Sequence, residues 1–145
     1  MVFGGGYEPE IGKGIVLRDG TDVTVIGCGV MVARCLEATE RLAEAGTDAR
    51  VVEMHTLKPL DRELVARCAA ETGALVTVEE HSVIGGLGGA VAEALVESEL
   101  VPMERVGVAD TFAESGPYSE LMDKYGLGVE DIVAAARRAV ARKAK

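Results

Sequence analysis

The chain has 145 residues, of which 48% are hydrophobic and 27% charged, values typical of one globular domain. Its formal net charge of -9 opposes a phosphate backbone, and 3% aromatic residues without tryptophan leave few rings for stacking on bases. We therefore expect no nucleic-acid partner.

The cysteines and histidines are too few and too scattered to predict a metal site. Three cysteines show no CxxC spacing, and only two histidines are present, so no zinc pattern can be assembled. Unpaired cysteines within apolar segments suit a reducing compartment. The sequence contains no signal peptide and no apolar run of membrane-spanning length. We expect a cytoplasmic protein without a membrane partner.

The first half of the chain alternates between short apolar runs and helical periodicity. Residues 1–13 are rich in glycine and are interpreted as a linker from a preceding domain. A short strand is predicted at residues 15–17, and β-branched residues predict buried strands at residues 22–27 and 49–54. Between the last two, an apolar face with a period near 3.6 predicts a helix over residues 31–45, followed by a terminating glycine.

The second half continues this alternation. Asp61 is a favourable N-cap for a helix that ends at Gly73. Apolar runs predict strands at residues 74–78 and 105–108. Helices are predicted after the glycine run that follows residue 84, over residues 115–125 and over residues 129–143. Strands that alternate with helices indicate a parallel α/β sheet with helices on both faces.

The segment over residues 79–89 carries the densest group of candidate functional residues. A predicted strand ends in two carboxylates and a histidine, and four glycines then fall within five positions. This order places polar side chains and a flexible turn at the carboxyl end of a parallel sheet. The candidates for an interface or functional loop are Glu79, Glu80, His81, Gly85, Gly86 and Gly88.

Two interpretations of this segment are open, an acid–base site and a docking edge. A carboxylate beside a histidine can raise the pKa of the imidazole and orient it for proton transfer. However, consecutive strand residues point to opposite faces, so Glu79 and Glu80 should not act together on one substrate atom. The glycine run also lacks the lysine of a P-loop. We favour the docking edge and assign no catalytic, cofactor-binding or metal-binding residue.

A stand-alone nucleotide- or anion-binding module is the alternative from a different functional class. It would use either the loop over residues 85–89 or a second set of residues. Gly27 and Gly29 follow a predicted strand and open a helix, while Glu53 ends the next strand, as in a dinucleotide-binding fingerprint. Val32 stands at the third glycine position, where a branched side chain would crowd the helix against the strand. Cys28 lies at the same turn and is interpreted as structural.

Five segments follow one another in a fixed order: EIGKGIVLRDGTDVTVIGCGVMVARCLEA, RVVEMHTLKPLD, VTVEEHSVIGGLGGAVAE, GVADTFAESGPYSELMDKYGL and VEDIVAAARRA. Together they resemble the C-terminal domain of transketolase-like proteins. This group includes transketolase, 1-deoxyxylulose-5-phosphate synthase and the beta subunits of 2-oxoacid dehydrogenases. The resemblance is greatest to transketolase of the kind encoded as two shorter chains. It implies a three-layer α/β/α domain over residues 14–145, with a five-stranded, mostly parallel mixed sheet whose first strand is antiparallel.

The same resemblance implies a supportive role in an enzyme that transfers two-carbon ketol units between sugar phosphates. In this family, thiamine diphosphate and magnesium are held between pyrophosphate-binding and pyrimidine-binding domains, neither of which fits in 145 residues. We therefore expect this chain to bind no cofactor, to be inactive alone, and to pack against those two domains in a homodimer. Which enzyme of the family it belongs to is open at this point.

Overall fold

The computed structural model describes residues 7–143. Within that range the short apolar runs form five strands, and the segments with helical periodicity form five helices. In chain order the elements are β1 (Ile15–Arg18), β2 (Val23–Gly27), α1 (Met31–Glu44), β3 (Ala49–Glu53), α2 (Arg62–Thr72), β4 (Leu75–Ser82), α3 (Leu87–Val96), β5 (Met103–Val108), α4 (Tyr118–Lys124) and α5 (Val129–Ala141).

The strands form one mixed sheet in the order β1-β3-β2-β4-β5. β1 pairs antiparallel with β3, and the other neighbouring strands pair in parallel. This confirms the five-stranded mixed sheet and the direction of its first strand. The register sets Gly27 level with Glu53 on one side and with Val78 on the other. The carboxyl ends of the three central strands therefore reach the same edge.

Helices cover both faces of the sheet, which confirms the three-layer arrangement. α1, α4 and α5 pack on one face, over a core that includes Val25 and Val76. α2 and α3 pack on the other face, over a core that includes Ile26 and Leu75. Neighbouring strand residues thus serve opposite cores, as the two-residue period of a strand requires. Because both faces are covered, every residue of β2 and β3 is buried.

The boundary of β4 differs from the sequence prediction. The strand runs to Ser82 instead of ending at Val78. Its last residues pair with β5, and the amide of Val83 donates to the carbonyl of Val108 at 3.0 Å. β5 begins correspondingly early, at Met103. The two carboxylates and the histidine therefore lie within β4, which continues past its predicted end.

Asp61 begins α2 and also holds the segment that leads into β1. Its Oδ1 accepts the amide of Leu64 at 3.0 Å, and its Oδ2 accepts the amide of Gly14 at 3.0 Å. At the other end of α2, Gly73 has φ 66°, and its amide donates to the carbonyl of Ala69 at 2.9 Å. The predicted N-cap and the terminating glycine of this helix are both confirmed.

Replacing Asp61 by alanine is expected to lower the free energy of unfolding by about 1–3 kcal/mol, because two amides lose their acceptor. Glu63→Ala is a matched control on the same helical turn. Glu63 is exposed, and its 3.6 Å contact with Lys13 is a surface ion pair, so its loss should change stability by less than about 0.5 kcal/mol. Urea unfolding measures both variants. Equal stability of the two would contradict the role given to Asp61.

The segment over residues 7–13 lies against the loop that follows β3. The amide of Gly12 donates to Thr56 Oγ1 at 3.0 Å, and His55 Nε2 donates to the carbonyl of Glu10 at 2.9 Å. Residues 1–6 of the predicted linker lie outside the described range. None of the helices in residues 7–143 combines the length and the apolar character that crossing a membrane requires.

Candidate functional site at the carboxyl edge of the sheet

The connections after β2 and β4 leave the sheet on opposite faces. α1 follows β2 and packs on one face, whereas α3 follows β4 and packs on the other. Such a switch point opens a crevice at the carboxyl ends of the two strands, the usual ligand position in an open α/β sheet. Three neighbouring strand ends contribute polar side chains here: Cys28 after β2, Glu53 in β3 and Glu79 in β4.

Glu79 is the central group of the crevice and is only 2% exposed. The amide of Leu87 donates to its Oε2 at 2.7 Å, and the amide of Gly88 donates to its Oε1 at 2.9 Å. Both amides belong to the first turn of α3, where unpaired N–H groups and the helix dipole attract an anion. The chain's own carboxylate therefore occupies the position that a phosphate takes in a glycine-rich loop.

Neighbouring side chains explain two of the candidate glycines. A Cβ on Gly86 would overlap the carboxylate of Glu79. A Cβ on Gly88 would lie 2.7 Å from Arg105 Cδ. Gly85, in contrast, has φ 75° and open space where a Cβ would stand, so it serves the turn. Gly86 and Gly88 thus make room for side chains of this protein.

Glu80 and His81 have different surroundings from Glu79 and from each other. Glu80 is exposed and accepts the hydroxyl of Tyr118 at 3.2 Å. His81 is also exposed, and its Nδ1 donates to the carbonyl of Ser82 at 2.8 Å and lies 3.9 Å from Glu79 Oε2. The two adjacent carboxylates have no common target, so an acid–base pair made of them gains no geometric support.

Glu53 is held by a residue that the sequence analysis missed. The hydroxyl of Tyr7 donates to Glu53 Oε2 at 2.7 Å, and Glu53 is 4% exposed. Burial, and then the adjacent carboxylate, raise the pKa of Tyr7 to about 12, so the phenol remains a donor at neutral pH. Tyr7 lies in the stretch interpreted as a linker. The sequence marks Tyr7 only as one of three tyrosines in the chain, and nothing in it indicates a contact with Glu53.

The geometry gives the nucleotide interpretation no support. Gly27 is required by packing, because a Cβ there would lie 2.7 Å from Cys35 Sγ. Gly29 has φ 56° and open space around it, as a turn residue does. One carboxylate oxygen of Glu53, Oε2, already accepts the Tyr7 hydroxyl, and the side chain is buried. Among residues 7–143, no group of three or more His, Cys, Asp or Glu side chains could hold a metal ion.

Cys28 is the remaining polar group of the crevice. Burial, followed by the charges of Glu79 and Glu53, raises the pKa of its thiol to about 11. At neutral pH the group is therefore a thiol and not a thiolate, and the thiolate is the nucleophilic form. The interpretation of Cys28 as structural fits this environment.

At pH 7, Cys28 is expected to react with iodoacetamide about a hundredfold more slowly than an exposed thiol, because its pKa is raised from 9.0 to about 11. The rate should rise as pH passes from about 9 to about 11. Mass spectrometry of the alkylated chain measures it, with Cys28→Ser to assign the label and urea-unfolded chain as the control. Equal rates in the folded and unfolded chain at pH 7 would contradict the prediction.

The strand order, the antiparallel first strand and the two helical layers are also found in a solved structure that the chain resembles. The family model described as "Transketolase, C-terminal domain" matches residues 12–132, most of the chain. The chain therefore belongs to the transketolase C-terminal domain family, which includes split-gene forms and 1-deoxy-D-xylulose-5-phosphate synthases.

Two relatives and one solved structure show how far the similarity extends. The chain is 50% identical over 136 residues to the 6-deoxy-6-sulfo-D-fructose transketolase subunit SqwH of Clostridium sp. (strain MSTE9), covering 94% of this chain and 42% of that subunit. It is 45% identical over 124 residues to a 1-deoxy-D-xylulose-5-phosphate synthase of Trichormus variabilis, covering 84% of this chain and 20% of that enzyme. A split-gene transketolase, an inactive β4 tetramer, superposes with a TM-score of 0.95 at 51% identity, covering 99% of this chain and 47% of that one. The chain thus spans less than half the length of each.

Proposed function

We propose that this chain is the C-terminal part of a thiamine-diphosphate-dependent transketolase that transfers two-carbon ketol units between sugar phosphates. The position of Glu79 is the observation that supports a supportive, non-catalytic role for this chain. Glu79 is the most buried acidic side chain of the crevice, and both of its carboxylate oxygens accept backbone amides at the N-terminus of α3. The chain braces the catalytic domains and contributes no reacting group of its own.

The N-terminus of α3 and the buried carboxylates beside it do not fit the diphosphate of thiamine diphosphate. A diphosphate needs free helix amides or cations, whereas the N-terminus of α3 is filled by Glu79, and Glu53 adds a second buried carboxylate. We therefore propose that the cofactor and its magnesium are held by the pyrophosphate-binding and pyrimidine-binding domains of the complete enzyme. This chain packs against those domains within a homodimer.

The domain boundary and the compartment are part of the same proposal. Residues 1–13 lead from a preceding domain, and residues 14–145 form the C-terminal domain. Contacts of residues 7–13 with the loop after β3 would hold that connection along the carboxyl edge of the sheet. Cys28, Cys35 and Cys68 are free, as suits the reducing cytoplasm.

Reconstitution tests the proposed activity. The chain is assayed for ketol transfer between sugar phosphates alone, then with the polypeptide that carries the two cofactor-binding domains, encoded in frame with it or beside it. We expect no transfer by the chain alone and transfer by the combination. The cofactor-binding polypeptide without this chain is the control. Ketol transfer by the isolated chain would overturn the supportive role.

A related enzyme is the second candidate, because the Trichormus variabilis relative is a 1-deoxy-D-xylulose-5-phosphate synthase at 45% identity. The same reconstituted protein can be assayed for formation of 1-deoxy-D-xylulose 5-phosphate. The product that forms distinguishes the two. A 2-oxoacid dehydrogenase beta subunit, the other member considered from the sequence, would give neither.

We propose that His81, with Glu80 and the Gly85 turn, lies at the docking edge. His81→Ala is expected to weaken assembly of the complete enzyme by about tenfold while leaving turnover of the assembled enzyme unchanged, since truncation of an interface side chain acts on binding. Sedimentation velocity and ketol-transfer assays measure the two effects. Arg137→Ala, an exposed position on α5, is the control. Normal assembly with lost turnover would place His81 in catalysis instead.

A further inference from the structure

Residues 7–13 lie on the surface of the domain, and we call this segment the strap. None of its residues is buried, and Ile11 is 79% exposed. Hydrogen bonds from the carbonyl of Glu10 and the amide of Gly12 tie the strap to the loop after β3. Apolar burial therefore adds little to its attachment. A surface segment held mainly by polar contacts opens at a lower free energy than the core of the domain.

The attachment of the chain changes at Gly14. Its amide donates to Asp61 Oδ2 at 3.0 Å, and a Cβ at this position would lie 2.6 Å from Leu64 Cδ2. Backbone that is packed so closely against α2 cannot leave without disturbing the core. β1 begins one residue later, at Ile15, and pairs with β3. Gly14 is therefore the fixed end of the strap.

Tyr7 holds the other end of the strap. Its hydroxyl donates to Glu53 Oε2 at 2.7 Å, and its ring lies edge-on to the ring of His55, with 6.4 Å between the centroids. A hydrogen bond to a charged acceptor is stronger than one between neutral groups. Glu53 is 4% exposed, so its carboxylate depends on protein donors more than a hydrated carboxylate would. Closure of the strap therefore depends most on the Tyr7–Glu53 bond.

We propose that the strap opens and closes as a unit on the folded domain, with Gly14 as its pivot and the Tyr7–Glu53 bond as its clasp. Opening releases residues 7–13 from the loop after β3 and leaves the sheet intact. This inference rests on the proposed function in one respect, that residues 1–13 lead from a preceding domain. Seven extended residues span up to roughly 24 Å. An open strap would therefore let that domain move away from the carboxyl edge without unfolding this one.

Native-state hydrogen exchange of the full chain measures the opening. We expect the amide of Gly12, which donates to Thr56 Oγ1, to exchange through a local opening. Urea should hardly change the rate of that exchange, because the opening exposes little new surface. The amide of Gly14 should exchange at least tenfold more slowly. Equal exchange of the two amides, or an unprotected Gly12 amide, would overturn the proposal.

Tyr7→Phe removes the hydroxyl of the clasp and keeps the ring. It should raise both the exchange rate of the Gly12 amide and the rate of trypsin cleavage after the exposed Lys13 by about tenfold. Tyr118→Phe is the chemically matched control, since it also loses a hydroxyl that donates to a glutamate, Glu80. It lies outside the strap and should change neither rate. A Tyr7→Phe chain that exchanges and is cleaved at the parent rates would overturn the proposal.

Ile132→Val separates opening of the strap from a general loss of stability. Ile132 is fully buried in the core on the face of the sheet that α5 covers. Its truncation should destabilise the whole domain, yet leave exchange at Gly12 and cleavage after Lys13 unchanged. Acceleration of both to the same extent as in Tyr7→Phe would show that the strap opens only when the domain unfolds, which would also overturn the proposal.

Failure of this proposal is distinguishable from failure of the proposed function. Opening of the strap is measured on the chain alone, whereas ketol transfer needs the cofactor-binding polypeptide. Parent rates in Tyr7→Phe would overturn the strap and leave the proposed activity standing. Normal opening of the strap without ketol transfer by the reconstituted enzyme would overturn the activity alone.

Discussion

Glu79→Ala is expected to lower the free energy of unfolding by roughly 3–5 kcal/mol. The amides of Leu87 and Gly88 would lose a charged acceptor inside the protein, and the removed side chain would leave a cavity. The damage should be concentrated in the first turn of α3. Urea unfolding gives the total loss, and hydrogen exchange at the two amides should accelerate in the native state.

Two further variants make this result specific. Glu80→Ala changes the adjacent carboxylate, which is exposed and accepts only the Tyr118 hydroxyl, and it should cost less than about 1 kcal/mol. Glu79→Gln keeps one of the two acceptor oxygens, so its cost should fall between the two alanine variants. A Glu79→Ala chain as stable as Glu80→Ala would show that the cap of α3 is not formed by Glu79.

Gly86→Ala is expected to lower the free energy of unfolding by about 3 kcal/mol, because the new methyl group would overlap the Glu79 carboxylate. Backbone strain does not contribute, since Gly86 has φ -104°, which alanine adopts freely. The carboxylate must move, and its bonds to the α3 amides weaken as it does. Urea unfolding of the variant measures the loss.

Gly89→Ala is the matched control with the opposite sign. A Cβ at Gly89 meets nothing within 4 Å, and alanine favours a helix by up to about 1 kcal/mol over glycine. This variant should be equal to the parent or more stable. Destabilisation by both alanines to the same extent would indicate a general intolerance of the helix start rather than the specific overlap at Gly86.

A double-mutant cycle links the two large effects. If the methyl group of Gly86→Ala acts through Glu79, the substitution should cost at least about 1 kcal/mol less in a Glu79→Ala background, where the carboxylate is gone. Additive losses would mean that the two residues act independently. The cycle therefore tests the central feature of the crevice, a glycine loop closed over the chain's own carboxylate.

This feature explains why the segment resembles a ligand site without the properties of one. An anion site in an α/β sheet typically combines a strand end with a glycine-rich turn before a helix. This segment has both, but the anion at the helix N-terminus is the carboxylate of Glu79. The loop is thereby held rigidly at the edge of the sheet, with Glu80 and His81 displayed on its surface. A rigid, exposed edge of this kind suits docking in the way we propose.

Features that depend on neighbouring residues could be predicted from the sequence. Asp61 caps the amide three positions later, and Gly73 accepts a left-handed conformation at the end of the same helix. Strand and helix types followed from apolar periods of two and 3.6 residues, which any short window displays. The antiparallel first strand came from family resemblance, because nothing in residues 15–18 encodes a direction.

Features that join distant residues were decided only by the tertiary structure. Tyr7 meets Glu53 across 46 positions, and the last residues of β4 become strand because β5 pairs beside them. Glu79 could have faced a substrate, a partner or the first turn of α3. It faces α3 because the loop after β4 brings Leu87, eight residues later, back against its carboxylate. Periodicity assigns a residue to one face of its own strand or helix, but it does not say which other strand or helix packs against that face. The sequence by itself therefore determined the elements and the family, and packing decided which polar groups are free.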